Sequence, residues 1–254
     1  MQQVATTPLS KINSYQNDLL LAADFQQAVL PEVINVDYLD IALFYQPYDT
    51  VSGDVYDFIL NLVRELGIFV GDATGHGIAA ALMTMMVHIA IDSLTPNLST
   101  DEYLRKLNRL IASRNTGRSV SSVLLRITPN GSMNVAHAGH PSLIIAPADG
   151  SELIMFEEAG CALGLFADEP VKYVEENYQL QNDDKLIAYT DGLLEWRNDQ
   201  KQSYGMPRLL DCIANNRKQD CHRLKDSIVE DVISFSNQKE ADDDLTLLVM
   251  QYTS

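Results

Sequence analysis

Four aspartates stand at positions where a folded chain holds side chains still. Asp54 follows Val51-Ser52-Gly53, Asp72 closes the run GIFVGD, Asp191 closes LIAYTD ahead of Gly192, and Asp243 precedes LTLLVM. Ends of packed strands fix side-chain positions, and neighbouring glycines let the backbone come close to a bound ion. Carboxylates that converge without basic partners repel one another unless a hard divalent cation neutralises them. That chemistry is the binding of a hard divalent cation. The alternative is a set of independent turn acids, because Asp before Gly is common in turns. Taken singly, the residues leave both readings open.

The elements that must position these acids are legible as changes of period. Ser14 to Leu30 carries strong helix formers and stops at Pro31, after a polar, frayed stretch over residues 1 to 13. LDIALFY, VYDFILNL and LGIFVG read as three strands. The run from Ile78 to Ile91 places Ile78, Ala81, Leu82, Met85, Met86 and Ile89 on one helical face, and its other face is nearly as apolar, so both sides are expected to be covered. A helix from Ser99 to about Ser113 opens with a Ser99/Glu102 capping box and a Leu98/Tyr103 staple. VSSVLLRI, SMNVAHA, SLIIAP, ELIMF, VKYVEENY and KLIAYT predict a strand meander, followed by helices near Gly205 to Asn215 and Cys221 to Ser236 and a last strand, LTLLVMQY. Runs of strands beside runs of helices point to an α+β fold rather than a doubly wound parallel sheet.

Composition narrows the function classes. The 254 residues are 46% hydrophobic, enough for a full core, which excludes disorder. A formal charge of -17 argues against nucleic acid or an anionic membrane as the main partner and favours cations. Cys161, Cys212 and Cys221 sit in no metal-ligand spacing and read as reduced thiols. The first ten residues lack the basic residues and apolar core of a targeting signal, so a cytoplasmic location is expected. Ala73 to Ile91 has no Asp, Glu, Lys or Arg, but its apolar part is too short to span a bilayer.

VSGDVYD, GDATGHG, AHAGHP, ALGLF, YTDGLLEWRN and DDLT occur in that order. Together with ADFQQAVLP they resemble the bacterial stage II sporulation protein E type of serine phosphatases, within the metal-dependent protein phosphatase 2C superfamily. The resemblance covers roughly residues 22 to 252. It implies two facing β-sheets with helices packed outside, and a binuclear Mn2+ or Mg2+ centre between the sheets. It further implies that Asp72 bridges both ions, that Asp54 serves one, that Asp191 and Asp243 serve the other, and that the Ala73 carbonyl adds a ligand. A water between the two cations then loses a proton and attacks phosphoserine in line. Asp243, rather than Asp242 or Asp244, is favoured because it heads the DDLT match. Ser52 stands where the family usually has Gly.

Histidine carries two readings. The family's eukaryotic relatives place a histidine near the first metal aspartate as a general acid, which makes His76 a candidate, although its spacing differs by two residues. The plainer reading is that His76 and its glycines shape the loop before the next helix. His137 and His140 fit a structural turn, and His88 and His222 fit packing or surface roles. No arginine stands near the first acidic motif to hold phosphate. Residues 103 to 148 hold Arg105, Lys106, Arg109, Arg114, Arg118 and Arg126 and no acid, which reads either as a solvated helix face or as a docking surface.

The resemblance implies a serine/threonine protein phosphatase acting on a phosphorylated regulatory protein, with phosphorylated antagonists of anti-sigma factors as the substrate class. A catalytically silent binding module of the same fold and a hydrolase of small phosphoesters are the competing readings. The expected organisation is a segment over 1–30 ending in a linker or dimerisation helix, then a phosphatase domain over 31–254. Residues 14–30 are expected to pair with a second copy or with an upstream sensor or receiver domain.

Overall fold

The final strand shows why the fold has layers. In LTLLVMQY, Leu245, Leu247 and Val249 pack into one apolar cluster, while Leu248, Met250 and Tyr252 pack into another. Alternate residues of a strand point to opposite faces, so a strand covered on both sides reads as a continuous apolar run. Ile68 and Val70 against Phe69 and Ala73 repeat the pattern in LGIFVGDA.

The computed structural model describes residues 9–34, 36–114, 116–157, 160–166, 171–237 and 240–254. Its elements are α1 (Leu9–Val29), β1 (Leu39–Gln46), β2 (Asp54–Leu60), β3 (Leu66–Ala73), α2 (Ile78–Asp92), α3 (Thr100–Ala112), β4 (Val120–Ile127) and β5 (Ser132–Ala138). There follow β6 (Leu143–Ala146), β7 (Ile154–Phe156), β8 (Glu175–Gln179), β9 (Lys185–Tyr189), α4 (Gly192–Glu195), α5 (Gly205–Asn216), α6 (Cys221–Phe235) and β10 (Leu245–Tyr252). The strands form two antiparallel five-stranded sheets, β1-β10-β9-β6-β7 and β2-β3-β4-β5-β8. One core fills the space between the sheets, a second lies under α5 and α6, and a third lies under α2 and α3. The expected α+β sandwich with outer helices is therefore present. No helix among the described residues is long and apolar enough to cross a membrane.

Several local expectations are corrected. The strands of the middle region do not form a meander, because β6, β7 and β9 join one sheet while β4, β5 and β8 join the other. Helix α1 already begins at Leu9, inside the segment read as frayed. The capping box does not form: the Ser99 hydroxyl donates to Asp101 Oδ1 at 2.6 Å, and the Thr100 amide donates to Glu175 Oε2 at 2.7 Å, so a β8 carboxylate takes over the cap.

Helix α2 is covered on one side only. Ala80, Met83, Val87 and Ala90 are buried, while Ile78, Leu82 and Ile89 are 59%, 66% and 71% exposed. Beside them α1 exposes Tyr15, Leu21 and Phe25. The basic residues of 103–148 do not form one patch either. Arg126 is buried against Glu65 and over the Tyr103 ring, Arg105 and Lys106 pair with Asp101 and Glu102 one turn away, and Arg118 donates to the Thr74 carbonyl.

Candidate metal centre

The four aspartates arrive from both sheets. Asp54 opens β2 and Asp72 lies near the end of β3, directly opposite it in the ladder. Asp191 follows β9 and leads into α4, and Asp243 stands two residues before β10. Because β9 and β10 pair in one sheet and β2 and β3 in the other, the strand ends bring the acids together at one rim of the sandwich.

Asp54 is fully buried, and its Oδ2 accepts hydrogen bonds from the hydroxyls of Thr190 at 2.8 Å and Thr246 at 2.6 Å. Its Oδ1 has no hydrogen bond among the described residues. Thr246 lies in β10 and Thr190 directly follows β9, beside the opposite acids, so they tie the sheets together at this rim. Sequence reasoning passed over them, although each lies within the YTDG or DDLT run.

Asp244 is a third residue whose role spacing alone does not show. It accepts from the Tyr48 amide through Oδ1 at 2.7 Å and from the Gly53 amide through Oδ2 at 2.6 Å. Both oxygens are thus spent on backbone, which clamps the turn that delivers Asp54. Asp243 instead adds its charge to Asp191 and Asp72. Asp242 is exposed and accepts from the Arg197 amide at 3.1 Å.

The turn before Asp54 is built from several sides. Ser52 lies outside the left-handed region that would demand glycine, and its hydroxyl accepts from the Asp54 amide at 3.0 Å. A Cβ on Gly53 would sit 3.1 Å from the Ala73 carbonyl oxygen and 3.3 Å from that of Gly75, so the glycine allows these two strand ends to meet. Gln26 of α1, also buried, accepts from the Ser52 amide at 2.9 Å and donates to the Ser52 carbonyl at 2.7 Å and the Thr84 hydroxyl at 2.9 Å. One side chain therefore links α1, the Asp54 turn and α2.

The electrostatics of the cluster are those of charges held apart from compensation. Burial, followed by the charges of Asp54, Asp191, Asp243 and Asp244, pushes the Asp72 carboxyl up to about 9. Burial also raises Asp54, Asp191 and Asp244, with neighbouring carboxylates adding to the shift. A cavity of about 490 Å³ opens beside Asp72 and Asp191, lined also by Thr74, Ser121, Pro141 and Leu194. No Lys, Arg or His side chain lines it. An all-oxygen donor set with an uncompensated excess of carboxylates fits a hard divalent cation of the Mg2+ or Mn2+ kind.

The histidines fall in different places. His76 is exposed between Gly75 and Gly77, both at positive φ, and makes no hydrogen bond or ion pair among the described residues. His88 is buried against Asp57 at 2.9 Å, and His222 pairs with Asp40 at 3.2 Å. His140, in the turn after β5, is completely buried, with Nδ1 2.9 Å from the Ser121 hydroxyl. Asp40, Cys221 and His222 bring three potential donors within 4.8 Å of one another, but burial pushes the Cys221 thiol up to about 12, and the trio ties α6 to β1.

Comparison with known proteins bears on this geometry. The sequence pattern of the Stage II sporulation protein E (SpoIIE) family matches residues 63–253. The chain is 26% identical over 250 residues to "Phosphoserine phosphatase RsbP" of Bacillus subtilis (strain 168), covering 94% of this chain and 59% of that protein. It is also 26% identical over 242 residues to "Phosphoserine phosphatase RsbU" of the same organism, covering 93% of this chain and 70% of that protein. The chain thus spans somewhat less than two thirds of RsbP. Among solved structures, the SiaA-PP2C domain of Pseudomonas aeruginosa superposes with a TM-score of 0.83 at 22% identity, covering 100% of both chains.

Proposed function

The chain belongs to the stage II sporulation protein E family, and from that premise we propose that it is a metal-dependent serine/threonine protein phosphatase acting on a phosphorylated regulatory protein. The observation that carries the reading is that Asp54, Asp72, Asp191 and Asp243 gather at one rim of the sandwich, beside a cavity that Asp72 and Asp191 line and no basic side chain enters. The curated relatives' names as phosphoserine phosphatases support the same class.

In this proposal Asp72 would help to hold two cations, Mn2+ or Mg2+, with Asp54 contributing to one, Asp191 and Asp243 to the other, and the Ala73 carbonyl offering a further oxygen. Such cations, when bound, lower the pKa of water and neutralise phosphoryl oxygens. The chain's own residues prepare that site. Thr190 and Thr246 fix Asp54 and leave its Oδ1 available, Asp244 holds the Gly53 turn, and Gly53 admits the Ala73 carbonyl. His76, on the loop two residues beyond Thr74, is the candidate for protonating the leaving serine oxygen.

The same proposal assigns the phosphatase domain to 31–254 and control to 1–30, with residues 14–30 pairing with a second copy or an upstream regulatory domain. Exposed Tyr15, Leu21 and Phe25 beside exposed Ile78 and Leu82, and the Gln26 link to the Asp54 turn, support that role. Phosphorylated antagonists of anti-sigma factors are the substrate class that fits the family. The test is release of phosphate from candidate phosphoproteins of the same cell, with and without Mn2+. Turnover of free nucleotides that matches or exceeds turnover of phosphoproteins reassigns the chain to small phosphoesters.

A further inference from the structure

The chain leaves β3 through a loop that stays locked to β4. Beyond the last ladder pair, Ala73 with Val120, the Thr74 amide donates to the Ser119 carbonyl at 2.9 Å and the Ser119 amide donates to the Thr74 hydroxyl at 3.1 Å. Asp72 and Thr74 stand two residues apart on this extended run, so their side chains emerge on one face, and both line the cavity beside the acids. At a strand rise of about 3.3 Å per residue, Thr74 lies roughly 6–7 Å beyond Asp72.

Arg118 is seated at that point. It directly precedes Ser119, and its Nη1 donates to the Thr74 carbonyl. Gly75 follows at a φ of 86°, and a Cβ there would lie 2.8 Å from Nη1, so the missing side chain is what admits the guanidinium. Arg64, Arg105, Arg126 and Arg223 each meet a carboxylate, whereas half-buried Arg118 belongs to no ion pair among the described residues. A guanidinium presents several N–H donors in a fixed planar fork. Among the described residues the Thr74 carbonyl is the one acceptor this side chain meets, so donors remain for a second partner.

We propose that Arg118 is a specificity-determining contact, donating to a carboxylate that the substrate protein carries within about two residues of its phosphoserine. The inference rests on the phosphatase reading of the site and names a feature of its substrate. With the phosphoryl group beside Asp72 and Asp191, an extended peptide advances about 3.3 Å per residue, which brings the next side chain but one to the Thr74–Gly75 turn. A carboxylate suits this seat because the planar fork pairs with it bidentately. The rest of the chain, at -17, repels acidic partners, so an anchored local cation decides which acidic sequence is accepted.

The experiment uses the full chain with Mn2+ and phosphoserine peptides that carry Asp, Asn or Lys two residues from the phosphoserine, one set for each side. Wild-type kcat/KM should favour the Asp peptide of one set over its Asn counterpart by about tenfold, the fold-change of a hydrogen bond between charged groups. Arg118→Ala should abolish that preference, and Arg118→Glu should reverse it in favour of Lys. A guanidinium that merely pins the loop would instead lower kcat/KM by one factor for every peptide and shift the Mn2+ concentration for half-maximal activity. That uniform loss overturns the proposal, as does a wild-type chain indifferent to Asp, or an Asp preference that survives in Arg118→Ala. If Arg118→Ala fails to fold, Arg118→Gln, which keeps an amide donor for the Thr74 carbonyl, decides in its place. Fluorescence anisotropy of the same peptides separates the two readings. A wild-type chain that releases no phosphate, yet binds the Asp peptide more tightly through Arg118, ends the phosphatase reading and leaves the contact standing.

Discussion

Asp54 and Asp72 face each other directly across the β2–β3 ladder, register partners whose carboxylates emerge on one face of the sheet. Opposed positions of this kind hold Cβ atoms roughly 4.5–5.5 Å apart, and like charges there are destabilising. The fold therefore forces together two acids that a strand pair would otherwise separate. Gly53 and Ala73, the residues flanking them, are joined by the Ala73 amide donating to the Gly53 carbonyl at 2.9 Å, which prevents the pair from splaying.

The first prediction is a dependence of stability on pH that reverses the usual acid behaviour. Unfolded Asp72 ionises near 3.8, whereas the folded chain without metal keeps its proton up to about 9, so the folded state binds more protons between those values and loses stability as pH rises. His137, pushed down to about 4 by burial, and His140 act with the opposite sign below about 6.5. The diagnostic window is thus from about 6.5 to about 9. In chelator the melting temperature should fall across it, and saturating Mn2+ should flatten the curve. A chelated chain that gains stability over this window contradicts the crowded-carboxylate account.

A second prediction separates the acids by role. Asp72→Asn and Asp191→Asn should each lower turnover by more than roughly a hundredfold, beyond what outer-shell partners of metals usually cost, without loss of fold. Asp242→Asn should stay within about twofold, as exposed substitutions shift free energies by roughly 0.5 kcal/mol or less. Steady-state kinetics with circular dichroism on the same preparations checks both. An essential Asp242 beside a dispensable Asp243 would move the ligand assignment by one residue.

The third concerns Asp244, whose two oxygens serve two backbone amides. An asparagine offers a single accepting oxygen, so Asp244→Asn should cost about 1–3 kcal/mol in urea unfolding for the amide left unpaired. Asp243→Asn should leave stability unchanged or improved while activity is lost. Finding the two profiles exchanged would show that Asp244, not Asp243, belongs to the metal site.

The fourth concerns control. Leu21 and Phe25 are 66% and 65% exposed, so Leu21→Ser with Phe25→Ser should leave the fold intact. Under the proposed pairing, sedimentation mass should drop to that of one chain and the Mn2+ concentration for half-maximal activity should rise. If neither value moves, α1 has no part in pairing or in metal affinity.

What the sequence disclosed, and what it withheld, divides along a physical line. Asp54, Asp72, Asp191 and Asp243 were visible because strand ends and glycine turns are local signals, and the structure gathers all four. The partition of β4–β9 between two sheets was not visible, since a period of two marks a strand without naming its neighbours. Helix α2 misled for a related reason. With both faces apolar, the stripe Ile78, Leu82 and Ile89 was found correctly, but periodicity does not say which stripe faces the core. Thr190, Thr246, Asp244 and the Ser121–His140 pair escaped because each acts on a partner between 19 and 196 residues away, a distance over which spacing carries no information.

The uncovered apolar faces of α1 and α2 belong to a chain of charge -17. Two copies approaching through these faces meet a long-range repulsion before they meet any attraction. The repulsion is screened within about 10 Å at 0.1 M ionic strength and within about 3 Å at 1 M, whereas the apolar contact is not weakened by salt. Under the proposed pairing, ionic strength works as a dial on self-association, turning it up where surface charge pairing would be turned down. A buffer of low salt and one of high salt should then hold the same chain in different assemblies.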